Sequence, residues 1–247
     1  MSIPFFGINL EKSRLRWEHL EANARQCGLH LTRVEALDGR AVPVAEWIDV
    51  DAQKFAYRHG RSILPGEYGC YRSHLRALRM AIDSGAPYAV IVEDDVQFDL
   101  STVPLVKSIV ETNLKFDVIK LVSHRTKGFV VHERTALGVK IGRTLHGPQG
   151  SAAAYVVSRE GAIRLSIRLQ IMDLPWDVAL ERYWDNGIRF YSVLENVVLL
   201  SPNSNYSEIL SGGDYQETKL PLFQRLPAAV FRARDYLYRA IYTMTKS

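Results

Sequence analysis

Residues 88–96 read YAVIVEDDV, an apolar run followed by three consecutive acids. A short, continuously apolar run of this kind predicts a strand buried on both faces, here Tyr88 to Val92. Glu93, Asp94 and Asp95 then stand at the strand's C-terminal end, the edge at which α/β sheets bind ligands. Three carboxylates beside a buried strand are costly to leave without partners. A hard divalent cation takes such oxygens and completes its shell with water and substrate phosphate. In extended backbone Glu93 and Asp95 point the same way and Asp94 the other. Glu93 and Asp95 are therefore the expected metal ligands, with Asp95 the more direct. The plain alternative is a solvated acidic turn.

Outward from this strand the chain alternates. Ile3 to Leu10 and Leu29 to Leu37 read as strands around a helix that Ser13 caps and Gly28 stops. This strand–helix–strand opening is common to nucleotide-binding α/β folds. Residues 41–65 show weak periodicity and read as loop with a short helix. Gly66 to Ser84 reads as a helix, with Tyr71, Leu75, Leu78 and Ile82 on one face and Gly85 after it. A helix (about 103–114), a strand (116–122), a hairpin (128–145), a strand (151–157) and a helix (160–169) follow. A segment opened by Pro175 is expected to run as helix to Trp184, before a last strand region over 188–200 with a polar interruption.

Two further clusters carry polar groups. PGEYGCYRSHL (65–75) sets Gly66 and Gly69 at a helix start, where backbone approaches an anion closely, with Ser73 and His74 one turn in. GINLEKSRLR (7–16) ends a strand at Asn9 and follows it with Arg14 and Arg16, groups suited to a nucleotide base and phosphate. Each cluster alone reads more simply as an ordinary capped helix or strand corner.

The 247 residues fit one α/β domain with an appendage. The longest apolar runs fall far short of the roughly 20 residues of a spanning helix. Two cysteines cannot build a disulfide framework, and no signal-type segment opens the chain, so a cytoplasmic, reduced protein is expected. The net charge is +4, and residues 223–247 alone carry +4, with five basic residues and one acid. The remainder is neutral, which excludes a broad nucleic-acid surface.

In chain order INL, EALDGR, PGEYGCYRSHL, YAVIVEDDV, GSAAAYVVSREGA and LPWD resemble glycosyltransferase family 25, the bacterial lipopolysaccharide and lipooligosaccharide glycosyltransferases related to the collagen galactosyltransferases. The resemblance covers about residues 3–200. It implies a GT-A-like nucleotide-sugar-binding fold, a mixed, mainly parallel sheet flanked by helices, as the catalytic domain over 1–222. It also implies inverting transfer of a hexose, galactose from UDP-galactose above all, onto a lipid-linked saccharide acceptor, with Mn²⁺ or Mg²⁺ as cofactor. UDP-glucose or a UDP-N-acetylhexosamine is the alternative donor, and a non-catalytic nucleotide-sugar or carbohydrate-binding protein the alternative function.

Residue by residue, Asn9, Leu10 and Arg16 match the family's first nucleotide-side motif, and Ala36, Asp38 and Gly39 its second. Ser73 joins this donor-nucleotide group, as do Glu93 and Asp94. Glu93, Asp94 and Asp95 match the acidic metal motif. Gly150, Ala154 and Tyr155 match a segment bordering the donor sugar, and Asp177 an acid on the acceptor side. No histidine follows His146, so the late histidine that many GT-A enzymes give the metal is missing; Asn203, Asn205 or water is the expected substitute.

Single displacement at an anomeric carbon needs a base for the acceptor hydroxyl. Asp177 is the expected base, kept ionised by the helix dipole, with helix capping as its plain alternative. His74 is the rival, although a contact to the acidic motif suits it better. Trp176, Tyr155 and Trp184 are candidates to stack on a sugar, with core or rim packing as the plain alternative for each. In the tail, Leu226, Val230, Ala233, Leu237, Ile241 and Met244 form one apolar stripe among arginines and tyrosines. Such a basic amphipathic helix fits peripheral contact with the cytoplasmic face of the inner membrane.

Overall fold

The computed structural model describes residues 2–201 and 218–245. Its centre is an eight-stranded mixed sheet in the order β2-β1-β3-β8-β5-β9-β7-β6. The strands are β1 (Phe5–Asn9), β2 (Leu31–Glu35), β3 (Tyr88–Glu93), β5 (Val118–Lys120), β6 (Phe129–Arg134), β7 (Lys140–Thr144), β8 (Ala154–Ser158) and β9 (Phe190–Val193). Only β7 and β8 run against the common direction. A two-stranded ribbon joins β4 (Val96–Gln97) to β10 (Leu199–Leu200).

Alternation along each central strand divides the core. Phe6, Ile8, Ala89, Ile91, Tyr155, Val157 and Phe190 enter one cluster, whereas Phe5, Val90, Val92, Ala154, Val156 and Tyr191 enter the other. The first face carries α2 (Ala52–His59), α3 (Pro65–Asp83), α5 (Arg159–Arg168), α6 (Trp176–Leu180) and α7 (Tyr183–Asn186). The second carries α1 (Arg14–Gln26) and α4 (Thr102–Val110). Strands sandwiched in this way are apolar on both sides, which is why β3 reads as a continuous run.

Local chemistry sets the element ends. Pro65 opens α3 at its first position, and the Glu67 carboxylate turns back to accept from the Leu64 N–H at 3.0 Å. Ser158 caps α5 by accepting from Gly161 N at 3.0 Å. Ser13, expected to cap α1, precedes it but makes no capping bond through its side chain. The segment expected as loop, 41–65, contains α2, capped by Asp51 and closed by Gly60 in the left-handed region.

The expected helix over 175–184 is broken at Glu181 and Arg182. Glu181 turns into the core to meet Lys120, and Arg182 is drawn to Asp185 and Asp235. The last strand region divides at its polar interruption. Between β9 and β10 Asn196 leaves the sheet, and its side-chain oxygen accepts from Ser123 N at 3.0 Å.

The tail forms α8 (Leu226–Met244), which lies against α2, α7 and β7. Its inner side buries Ala228, Phe231, Arg239 and Thr243. Its outer side is the stripe read from the sequence, with Leu226, Val230, Leu237, Ile241 and Met244 each more than half exposed.

Candidate active site

A cleft opens where the C-terminal ends of β1, β2 and β3 meet the N-terminal half of α3. Asn9, Leu10 and Arg16 line one wall, Ala36, Asp38 and Gly39 another, and Ser73, His74, Glu93, Asp94 and Asp95 the floor. Segments far apart in sequence are thus brought to one place. The close approach of two walls depends on glycine. A Cβ on Gly39 would stand 2.8 Å from Gly69 N, and one on Gly69 would stand 2.7 Å from Gly39 N. Ser73 fixes the same junction: its hydroxyl donates to Gly69 O at 2.6 Å and accepts from Leu37 N at 2.8 Å.

The three acids have separate surroundings. β3 ends at Glu93, and Asp94 and Asp95 form a turn into β4, so the strand alternation assumed in the sequence reading stops one residue too early. All three carboxylates nevertheless line the one cleft. Glu93 meets His74 Nε2 at 3.0 Å. Asp94 accepts from Asn9 Nδ2 at 2.7 Å and pairs with Arg16 at 3.2 Å. Asn9 is itself held, since its Oδ1 accepts from Arg33 at 2.5 Å and its amide also donates to Ser13 O at 3.1 Å. Asn9 and Arg16 therefore fix the acidic turn.

Asp95 is different: its Oδ1 is buried and has no hydrogen-bond partner. Burial, with the charges of Glu93 and Asp94, pushes its pKa up to about 7. A buried, unsatisfied carboxylate oxygen beside two further acids is what a hard cation would satisfy. Asp95 and Glu93 thus fit the metal that the acidic motif implies. Asn203 and Asn205, the expected substitutes for a late histidine ligand, lie outside the described residues.

His74 is fully buried and oriented from two sides. Its Nδ1 lies 3.1 Å from the Tyr155 hydroxyl, and its ring stacks on Trp176 at 4.9 Å and 7°. Cys70, one turn earlier on α3, also lines the cleft. Burial, then Glu93, Asp177, Glu67 and Asp95, push its thiol well up. Lys12 pairs with Asp38 at 2.5 Å and holds that carboxyl below its usual range.

The expected sugar contacts Gly150, Ala154, Tyr155, Trp176 and Trp184 are not among the residues that line this cleft. Ala154 is wholly buried in β8 and faces the opposite cluster from the cleft. Tyr155 and Trp176 are buried and engaged with His74, the core placement weighed as their alternative. Trp184 packs edge-on against Tyr183. Gly150 adopts φ +70°, and its carbonyl accepts from the buried Lys120 ammonium at 2.9 Å. Lys120 also pairs with Glu181 at 2.7 Å, and Glu181 accepts from Gln149 N at 2.8 Å and Arg239 at 3.3 Å. This buried network ties the 149–150 loop to α6 and α8, and the sequence marked it only as a lysine inside an apolar strand.

Asp177 stands in the first turn of α6, half-buried. The expected dipole effect is outweighed: burial and the Glu181 charge raise its pKa to about 6. A helix of five residues supplies little field against that desolvation.

A profile for glycosyltransferase family 25 (LPS biosynthesis protein) matches residues 2–180. The chain belongs to glycosyltransferase family 25. A glycosyltransferase 25 family member of Drosophila pseudoobscura pseudoobscura is 25% identical over 172 residues, covering 65% of this chain and 26% of that protein. Procollagen galactosyltransferase 2 of Mus musculus is 29% identical over 98 residues, covering 38% of this chain and 16% of that protein. The chain therefore spans about a quarter or less of the curated relatives it matches. Among solved structures, a glycosyltransferase involved in glycosylation of the PBCV-1 major capsid aligns with 78% of this chain and 82% of its own, at a TM-score of 0.42 and 10% identity. The family 25 chain has a mixed sheet flanked by helices, with the acidic turn after a central strand and a helix at the C-terminal side. No helix among the described residues is long and apolar enough to cross a membrane.

Proposed function

We propose that this family 25 chain is an inverting hexosyltransferase that moves galactose from UDP-galactose to the saccharide of a lipid-linked lipopolysaccharide or lipooligosaccharide acceptor. The observation that carries the reading is the single cleft in which Asn9 to Arg16, Ala36 to Gly39 and Glu93 to Asp95 converge. Glu93 and Asp95 would hold Mn²⁺ or Mg²⁺, which supplies charge stabilisation for the departing diphosphate. Arg16 and Asn9 keep Asp94 turned to the β1 wall, leaving Asp95 directed to the cation. Asp177 would take the acceptor proton, because a carboxyl of pKa about 6 is ionised at neutral pH and still basic enough to accept.

The outer stripe of α8 supports contact with an anionic membrane. Its apolar side chains are flanked by exposed Arg232, Arg234, Tyr236 and Tyr238. Each well-placed arginine adds about 1 kcal/mol near such a surface.

The test is thermal melting with UDP-, GDP- and CMP-sugars, each with and without Mn²⁺, followed by product analysis with UDP-galactose. A ligand at a hundredfold over its Kd stabilises by roughly 2.7 kcal/mol. A UDP-specific shift enhanced by Mn²⁺ is expected. A larger shift with UDP-glucose or a UDP-N-acetylhexosamine moves the donor, and no shift with any nucleotide sugar overturns the reading.

A further inference from the structure

We propose that Cys70, His74 and Glu93 form a site for a thiophilic divalent cation, Zn²⁺ in type, distinct from the hard-cation position at Asp95 but sharing Glu93 with it. One ligand atom from each residue lies within 4.8 Å of the other two. A tetrahedral site with bonds of about 2.0–2.3 Å has ligand–ligand edges of roughly 3.3–3.8 Å, so small side-chain rotations close it. Cys70 and His74 are four residues apart on α3 and share a face, and Glu93 comes from the end of β3.

The imidazole is oriented as a ligand would be. Tyr155 engages Nδ1 at 3.1 Å and Trp176 fixes the ring plane, so Nε2 points at Glu93. A partner on the second ring nitrogen is the usual support of a metal-binding histidine. All three residues line the cleft, which provides entry and an open fourth position. The donor set of sulfur, nitrogen and one oxygen selects zinc or cobalt over magnesium or manganese.

On binding, the Cys70 thiol releases its proton to solvent as the sulfur–metal bond forms. The Nε2 proton that bonds Glu93 is replaced by one taken from solvent at Nδ1, which then donates to the Tyr155 hydroxyl, and Nε2 and the freed Glu93 carboxylate each bond the metal. The site itself stands on this geometry alone. Its consequence rests on the transferase reading: zinc that draws Glu93 toward α3 removes it from the donor cation, so Zn²⁺ inhibits transfer and Mn²⁺ relieves the inhibition.

The test is Co²⁺ titration of the metal-free chain without donor, read by the thiolate-to-cobalt charge-transfer band. The expected result is a band that saturates at a single cobalt per chain, is displaced by Zn²⁺ and ignores excess Mg²⁺. Cys70→Ser abolishes it, Cys27→Ser retains it, and Glu93→Gln weakens binding about tenfold or more. Should Cys70→Ser fail to fold, maleimide labelling of the Cys27→Ser chain provides the second readout, with Zn²⁺ protecting Cys70. Absence of the band, a band that survives Cys70→Ser, or labelling unaffected by Zn²⁺ overturns the site. Because no donor is present, this result and the outcome of the nucleotide-sugar test fail independently.

Discussion

Asp95 is a side chain whose environment opposes its own charge. Its folded pKa of about 7 lies above the ordinary 3.8, so the folded state holds the proton more tightly than the unfolded chain. Stability is therefore lost as pH rises from about 4 through 7, by roughly 1–3 kcal/mol after allowance for partial exposure. Asp95→Asn is expected to flatten that loss in urea unfolding at pH 5 and pH 8, and to abolish transfer. Saturating Mn²⁺ should flatten it in the unsubstituted chain, and a pH dependence indifferent to Mn²⁺ would remove Asp95 from the metal site. Asp177 offers a second test. With a pKa of about 6, a base there makes the transfer rate climb tenfold per pH unit below 6 and level off above it. Asp177→Asn should lower kcat about 10²- to 10⁴-fold and erase that limb; a variant that keeps the limb points to another base.

The C-terminal helix works on two sides with opposite demands. Inward, Phe231 is buried, Arg239 reaches Glu181, and Thr243 donates to Thr144 O at 3.0 Å. Outward, Val230 and Leu237 are 68% and 59% exposed. Removing residues 223–247 would strip a partner from the buried Glu181 and uncover the α2 face, so truncation confounds membrane affinity with folding. Val230→Glu together with Leu237→Glu isolates the outer side. Cosedimentation with anionic vesicles should fall about tenfold or more, while melting temperature and transfer to a soluble acceptor stay unchanged. Undiminished vesicle binding would make the stripe a contact for something other than lipid. The stripe was legible in the sequence because its residues recur at helical spacing. The inner contacts were not, because Phe231, Arg239 and Thr243 share helical spacing but no common chemistry, and an arginine and a threonine are marked as buried only by the surfaces they meet.

At the scale of the molecule, the same difference separates what the sequence conveys from what it hides. The strand–helix alternation and the acids after β3 are local signals, and they survive folding almost in place. The helix break at Glu181 is not local. It follows from a lysine 61 residues away in β5, which needs a buried carboxylate. Tyr155 and Trp176 likewise read either as sugar contacts or as core, and their contacts with His74 come only from the fold. The junction of Gly39 and Gly69 is the clearest case, and it sets two physical effects against each other. Gly69 lies inside α3, where intrinsic propensity makes alanine more favourable by roughly 0.5–1 kcal/mol. The added Cβ would also stand 2.7 Å from Gly39 N and closer still to the Leu37 carbonyl, both backbone atoms of the cleft wall. Backbone cannot rotate away as a side chain can, so overpacking costs about 1–3 kcal/mol and wins. Gly69→Ala is expected to lower stability and weaken binding of UDP by displacing the Ala36–Gly39 wall. An alanine variant that melts higher and binds UDP as before would show that the two walls are not locked together through these glycines.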